Sequence, residues 1–298
     1  SLIELLVVIG IVMLLLGLGA GAYIRMSSSF KEQGAAAELD VVLRQARNSA
    51  ISANAPAYVD IDAPGNRVVP WIYKVVGMWH FEDRTTYGES RGAHHNATMR
   101  GAELWPDGKI GKCARLVNNA CIDVSNDPDF DCDDGGYLEA YIRPATTRFV
   151  GDNYVFSKNN AYSLKIALDG ILVGTVGMQK ATSQNYRIIP GRWSKVALVW
   201  DRNSVRVLVD DCIVGVAPGA KAPISDAPLL IGHESGSFSG LVDEVRVMAA
   251  TAGKSLLFNQ NVKVTHNAAP WNTIYFAADG SLDMRYHAGP LAVTFTQE

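Results

Sequence analysis

The stretch SLIELLVVIGIVMLLLGLGAGAY, Ser1 to Tyr23, decides how the rest of the chain is read. It holds one acidic residue, Glu4, and no basic residue before Arg25. At about 1.5 Å per residue it is long enough, as a helix, to cross a hydrocarbon core of about 30 Å. A secretory signal peptide needs a basic leading region and a small-residue cleavage site, and neither precedes the apolar run. A plain membrane anchor fits the length, yet a carboxylate near its end costs energy unless it is paired. The remaining reading is an apolar helix that buries itself among copies of itself, where the carboxylate meets an opposite charge. Gly10, Gly17, Gly19 and Gly21 each weaken a helix by about 1 kcal/mol relative to Ala, which suits local melting or close helix packing.

Beyond Tyr23 the helical pattern continues to about Asn54, with Leu39, Val42, Leu43, Ala46 and Ala50 forming an apolar stripe. Asn54-Ala55-Pro56 ends it, because proline disfavours helix in the residue before it. Tyr58 to Ile61 then alternates as a strand and stops at the turn residues Pro64-Gly65-Asn66.

The Ser1–Tyr23 stretch closely resembles the mature N-terminus of type IV pilins and pseudopilins. That resemblance implies cleavage of a precursor after a glycine, methylation of the new N-terminal residue, usually Phe, and a glutamate four residues later. Glu4 occupies that place, so the resemblance implies one residue ahead of Ser1. It assigns assembly to Glu4 with its neighbours Leu2, Ile3 and Leu5, the carboxylate pairing with the N-terminal ammonium of the adjacent subunit. The phrase ARNSAISANAPAYVDID is similar to the subgroup of pseudopilins and minor pilins in which an Ala-Arg-rich helix end leads into the first strand.

From about Val75 the pattern changes to short strands separated by turn chemistry: Asp169-Gly170, Arg202-Asn203-Ser204 and Asp210-Asp211. Regular spacing of this kind predicts an all-β sandwich. The order of phrases from Gly77 to Met248 resembles the laminin G-like, concanavalin A-like jelly-roll family. Trp79–Asp83 matches its opening strand, Trp193–Trp200 a central strand and Leu241–Val247 its closing strand. The last segment again reads as strands, at Val262–Thr265, Thr273–Phe276, Ser281–Tyr286 and Leu291–Phe295, with a turn at Asp279-Gly280. IYFAADGSLDMRY is similar to the closing hairpin of the same pseudopilin subgroup. The expected fold class is therefore α+β: a long N-terminal α-helix packed on an antiparallel pilin β-sheet, with an inserted all-β jelly-roll sandwich. Residues 1–75 and 251–298 would form the pilin part and residues 76–250 the insertion.

The sequence offers little catalytic chemistry. Hydrolysis of a glycosidic bond needs two carboxylates across a cleft, and adjacent Asp243 and Glu244 on a regular strand point to opposite faces. No P-loop, GxGxxG or nucleophile motif is present, so an enzyme is not expected. The jelly-roll resemblance implies a structural Ca²⁺ held by Asp83 and Asp243, hard oxygen ligands from separated strands. The acidic run NDPDFDCDD, Asn126 to Asp134, lacks the glycine and glutamate of an EF-hand and reads as a solvated loop. His94-His95 reads as a turn, and Tyr87, Trp105 and Tyr186 as loop aromatics able to stack on sugars or to pack.

Four cysteines, Cys113, Cys121, Cys132 and Cys212, show no zinc spacing. In the oxidising compartment that the pilin resemblance implies, they are candidates for two disulfides of unassigned pairing, with free buried thiols as the alternative. The net charge of −3 and pI near 6.1, with no basic C-terminal strand, argue against nucleic acid. Together these readings give a structural subunit of an extracellular bacterial pilus-like filament, homopolymerised through its N-terminal helices after residence in the inner membrane. It would display the jelly roll for adhesion to a glycan or cell-surface ligand whose residues are unknown. The alternative is a minor pilin or type II secretion pseudopilin whose jelly roll binds glycan or substrate.

Overall fold

The computed structural model describes residues 2–82, 97–145, 149, 151–236, 238–258, 262–268, 272–287 and 289–297. Side chains at 2–6, 15–29, 32, 262, 263 and 297 are outside that description. The chain opens with helix α1, Leu2–Ala53, followed by β1 (Ala57–Asp62), β2 (Arg67–Trp79), β3 (Ala97–Arg100), β4 (Glu103–Trp105), β5 (Cys113–Leu116) and β6 (Cys121–Val124). The central strands are β7 (Gly136–Pro144), β8 (Asn153–Lys158), β9 (Tyr162–Ile166), β10 (Leu172–Val176), β11 (Gln179–Thr182), β12 (Ser194–Trp200) and β13 (Ser204–Val209). The last are β14 (Cys212–Pro218), β15 (Leu229–Gly232), β16 (Gly240–Ala252), β17 (Leu256–Leu257), β18 (Val262–His266), β19 (Thr273–Phe276) and β20 (Val293–Gln297). Single 3-10 turns lie at Pro128–Phe130 and Leu168–Gly170. The chain divides into two compact units, one of residues 1–71 and 252–298, the other of residues 72–251.

The larger unit is a sandwich. One sheet runs β14-β13-β12-β7-β16 with β5 and β4 beside β16, and the other runs β11-β10-β9-β8-β15-β6-β3. Their inner faces make one core in which Trp79, Phe130, Phe156, Leu164, Leu198, Trp200 and Val207 are buried. Burial of each such side chain is worth about 1.5–3 kcal/mol. The sheets meet closely at Gly174 of β10, where an added Cβ would lie 2.5 Å from Leu198 and 2.6 Å from Val207. Buried aromatic polar ends are satisfied: Trp200 Nε1 donates to Cys132 O at 3.1 Å and Tyr162 Oη to Phe130 O at 2.7 Å. The β13–β14 hairpin closes on Asp210 (φ 48°) and Asp211 (φ 64°), the left-handed pair that a two-residue turn demands. At the β12–β13 hairpin, Asp201 accepts from the N–H groups of Asn203 and Ser204, both at 2.8 Å, and pairs with fully buried Arg206.

In the smaller unit Ala35, Leu39, Val42, Ala46 and Ala50 of α1 form a core with Val59, Ile61, Val68, Ile274 and Phe276. The helix stops where Asn54 turns left-handed (φ 46°) ahead of Pro56. Toward the N-terminus the helix is different: Val7, Val8, Ile9, Ile11, Val12, Met13 and Leu14 are each 44–67% exposed. Among the described residues no helix is long and apolar enough to cross a membrane.

The expected α+β class, with a long helix packed on a pilin sheet, is corrected. Strand residues outnumber helical ones, and the dominant architecture is the jelly-roll sandwich. The C-terminal strands do not assemble a pilin sheet. Among the described residues β18 and β20 pair only with each other, while β19 pairs with β1. Ser281–Tyr286 is not a strand: Leu282 makes one isolated bridge to Phe276 and the chain then turns, with Asp283 clamped by Arg285 at 2.6 Å. Strand count from sequence does not fix partners, and the partners decide which sheet exists.

Candidate functional site

Asp243 occupies a built corner of the sandwich. β16 slips register against β7 between Asp243 and Arg246, and Glu244 there has φ 50°. This irregularity breaks the alternation that would send the two carboxylates to opposite faces. The Asp243 carboxylate is buried and accepts three backbone N–H groups, from Lys109 (2.7 Å), Ile110 (3.0 Å) and Glu244 (2.8 Å). Glu244 Oε1 lies 2.8 Å from His80 Nδ1, and Lys112 Nζ donates to Glu82 O at 2.9 Å. Burial, helped by the charge of Glu244 and opposed by the N–H donors, lifts the Asp243 carboxyl to about 6.

Asp83, the expected second calcium ligand, lies outside the described residues, as do Tyr87, His94 and His95. Asp243 Oδ2 accepts two of the three backbone N–H groups and Oδ1 one, which leaves one lone pair on Oδ1. The arrangement anchors the 109–110 loop.

The acidic run 126–134 is likewise consumed by the fold. Asp127 caps the 3-10 turn by accepting from Asp129 N at 2.9 Å. Lys158, its side chain wholly buried, donates to Asn126 Oδ1 (2.6 Å) and Ala227 O (2.8 Å) and lies 3.5 Å from Asp131. Burial pulls the Lys158 ammonium below its usual range, and Asp131 pulls it back. Arg202 and Lys221 reach Asp134 at 2.6 and 3.3 Å; their hydrogen bonds outweigh burial and hold its carboxyl below the usual value. Among the described residues, no cluster of three or more His, Cys, Asp or Glu is placed to hold a metal.

The disulfide expectation is corrected as well. All four cysteines are unbridged, with Cys113, Cys121 and Cys132 buried and Cys212 exposed. They sit on different elements, β5, β6, the loop before β7 and β14. Cys113 Sγ faces Trp105 O at 3.7 Å and Cys132 Sγ faces Asp129 O at 3.6 Å. Burial pushes the Cys113 thiol up to about 12, and Cys132 higher still, so both are inert at neutral pH. The assembly residues Leu2, Ile3, Glu4 and Leu5 lie on the α1 backbone, with side chains outside the described set.

Two of the cavities lie on the jelly roll. The larger, about 360 Å³, lies where the β8–β9 and β10–β11 turns approach the end of β15. Its aromatic wall is Tyr154 with His233, ring centroids 4.8 Å apart and planes 31° from parallel. Lys165 Nζ lies 5.3 Å from the Tyr154 ring centre and 2.8 Å from Asp152. His233 Nδ1 accepts the Ser235 N–H at 3.1 Å, which puts the proton of a neutral ring on Nε2 as a donor. Asn159, Asn160, Ser163 and Thr175 supply amides and hydroxyls, and Met178, 99% exposed on its turn, forms a rim. The turns have conformational causes: Asn160 (φ 62°) and Gly177 (φ 53°) are left-handed. The second cavity, about 230 Å³, lies beside Trp105, Arg115 and Arg143. Of the expected loop aromatics, Trp105 lines this cavity from strand β4 and Tyr186 packs, half-buried, against the sandwich core. Sequence reading passed over Tyr154 and His233, which carry no motif and lie far apart in the chain.

A family profile described as laminin G, of the concanavalin A-like lectin/glucanases superfamily, matches residues 119–252. The jelly roll is of the laminin G-like, concanavalin A-like type. Domain 4 of AbnA, a GH43 extracellular arabinanase from Geobacillus stearothermophilus solved with arabinotriose, is similar at TM-score 0.50 and 19% identity, over 61% of this chain and 95% of that one. The binding domain of Paraclostridial Mosquitocidal Protein 1 is similar at TM-score 0.49 and 12% identity, over 58% of this chain and 48% of that one. A search of curated proteins gives no match. None of these findings supports a type IV pilin head.

Proposed function

We propose that the jelly roll is a non-catalytic carbohydrate-binding module for neutral oligosaccharides, and that the Tyr154–His233 cavity is its site. The observation that carries this reading is the aromatic wall with amide and hydroxyl groups around it. Sugars present C–H faces to rings and hydroxyls to Asn, Ser and Thr, the mixture of surfaces found here. The likeness to an arabinanase domain solved with arabinotriose adds support at the level of fold. Calorimetric titration of the full chain with arabinotriose and other neutral oligosaccharides tests it. His233→Ala is expected to weaken the binding at least tenfold with melting unchanged; equal binding by the variant would remove the site from consideration.

The α1 segment supports a finer reading, that the module is displayed on an extracellular bacterial filament whose subunits leave the inner membrane and polymerise through their N-terminal helices. Its basis is the pilin resemblance of residues 1–23 and the exposed apolar side chains from Val7 to Leu14. Head-to-tail contacts of this kind do not close and give helical polymers. Glu4→Ala is expected to abolish or slow filament assembly while the jelly roll still folds. Electron microscopy of sheared filaments, with mass spectrometry of their main band, checks it. A chain present only in traces would favour the minor-pilin or pseudopilin form of the reading, and normal filament yield from the variant would count against pairing through Glu4.

A further inference from the structure

The smaller cavity differs in chemistry from the one just discussed, and its assignment rests on the carbohydrate-binding reading of the jelly roll. Trp105 on β4 and Arg115 on β5 are diagonal neighbours across the strand pair, Trp105 lying opposite Cys113 and Arg115 opposite Glu103, and the Arg115 guanidinium carbon lies 4.5 Å from the Trp105 ring centre. Stacking on an aromatic face fixes the guanidinium plane while its N–H edges stay available. The acid nearest to it is Glu103, at 3.9 Å, with side chains 39% and 62% exposed for Arg115 and Glu103. A pair so long and so solvated holds almost no energy. Among the described residues the Arg115 side chain makes no hydrogen bond.

The rest of the cavity sets what else the ligand needs. Arg143 also lines the cavity, engaged by Asp107 at 2.6 Å and 5.2 Å from the Trp193 ring centre, so it adds positive field more than a vacant fork. Pro144 and Leu241 give an apolar floor. Gly240 has no room for a side chain, since a Cβ there would lie 2.5 Å from Arg143 O and 2.8 Å from Pro144 Cα. At about 230 Å³ the space is smaller than the cavities of about 300–1,000 Å³ that hold drug-sized ligands. It suits one ring.

An apolar floor, a stacked arginine with free edges and space for a single ring together specify an anionic ring compound with a hydrophobic face. We infer that the Trp105–Arg115 cavity is a second carbohydrate subsite, specific for a carboxylated sugar, with Arg115 binding the carboxylate in a forked pair and Glu103 as the weak internal competitor. The module then reads two features of a glycan, a neutral stretch and an acidic residue, at separate places.

The test is calorimetric titration of the full chain with a glucuronic acid oligosaccharide and with its carboxyl-reduced neutral counterpart. The acidic form is expected to bind at least tenfold more tightly, and the preference to shrink as salt is raised. R115Q should erase the preference, R115K should restore part of it, and E103Q should change acidic binding by no more than about twofold, since the pair it breaks holds almost no energy. H233A should leave the preference intact, which separates failure of this subsite from failure of the neutral site. Equal affinity for the two saccharides, no binding of either, or an acidic preference that survives R115Q would each overturn the inference. Melting of R115Q within about a degree of wild type guards against a folding effect.

Discussion

The acidic groups at Asp243 and in the 126–134 loop contrast with the two open cavities in how completely their valences are used. Asp243 spends both oxygens on backbone N–H groups, and Asp131 and Asp134 are matched by Lys158, Arg202 and Lys221. At the cavities, by contrast, His233 keeps a ring donor and Arg115 meets only a distant, exposed acid. The residues that look most chemical in the sequence are those the fold consumes to hold loops. The open ones are aromatic and cationic side chains with one face packed and one edge free. Binding needs that second condition, because a group with no unfilled valence has nothing to offer a ligand.

The comparison breaks most visibly if a closed group can be removed without harm. Asp201 and Arg206 are the extreme case, a fully buried pair at the β12–β13 hairpin. Asp201→Ala removes the carboxylate that neutralises a buried guanidinium and is expected to destabilise the jelly roll by about 3–5 kcal/mol in chemical denaturation. A loss under about 1 kcal/mol would show that water reaches Arg206.

Asp243→Ala is next in size. Three N–H groups lose their acceptor, which is expected to cost about 1–3 kcal/mol at pH 7. The pH dependence has a definite sign. An unfolded aspartate titrates near 3.8 and the folded one near 6, so between those values the folded state holds the proton more tightly. The stabilisation from Asp243 is then fullest below about pH 4, declines as pH rises toward 6, and is level above that. The gap between wild type and Asp243→Ala should accordingly be wider at pH 4 than at pH 7. A gap that widens upward through this range would mean that the N–H donors outweigh burial.

How much of this was legible in the sequence follows from how local each feature is. The end of α1 at Asn54, the buried stripe Leu39, Val42, Ala46 and Ala50, and the Asp210-Asp211 turn depend on a few neighbouring residues. The central strand Trp193–Trp200 and the closing strand Leu241–Val247 appear as β12 and as part of β16. The irregularity at Glu244 was not legible, because alternation was assumed to continue through it. Nor was the extent of β2, which runs unbroken from Arg67 to Trp79 across the expected boundary after residue 75. The α+β class failed for a related reason: Thr273–Phe276 reads correctly as a strand, but its partner cannot be read from its own residues. The cavities were the least accessible, since Tyr154 and His233, or Trp105 and Arg143, meet only after the sheets form.

The smallest expected effect gives the sharpest test of the contrast. If Asp243 is a loop anchor, neither excess chelator nor millimolar Ca²⁺ should move the melting temperature of the jelly roll by more than about a degree, since a cation that does not bind the folded state cannot stabilise it. Binding at 100 times the Kd would instead add about 2.7 kcal/mol, a shift of several degrees that calorimetry resolves easily. Such a shift would mean either that the cation takes the lone pair left on Asp243 Oδ1 or that it displaces the Lys109 and Ile110 amides from Oδ2. Displacement would carry its own signature: amide exchange at Lys109 and Ile110 accelerating on addition of Ca²⁺ while the rest of the sandwich slows. An unchanged melting temperature, with the same two amides protected throughout, would place Asp243 among the groups whose chemistry the fold has already used.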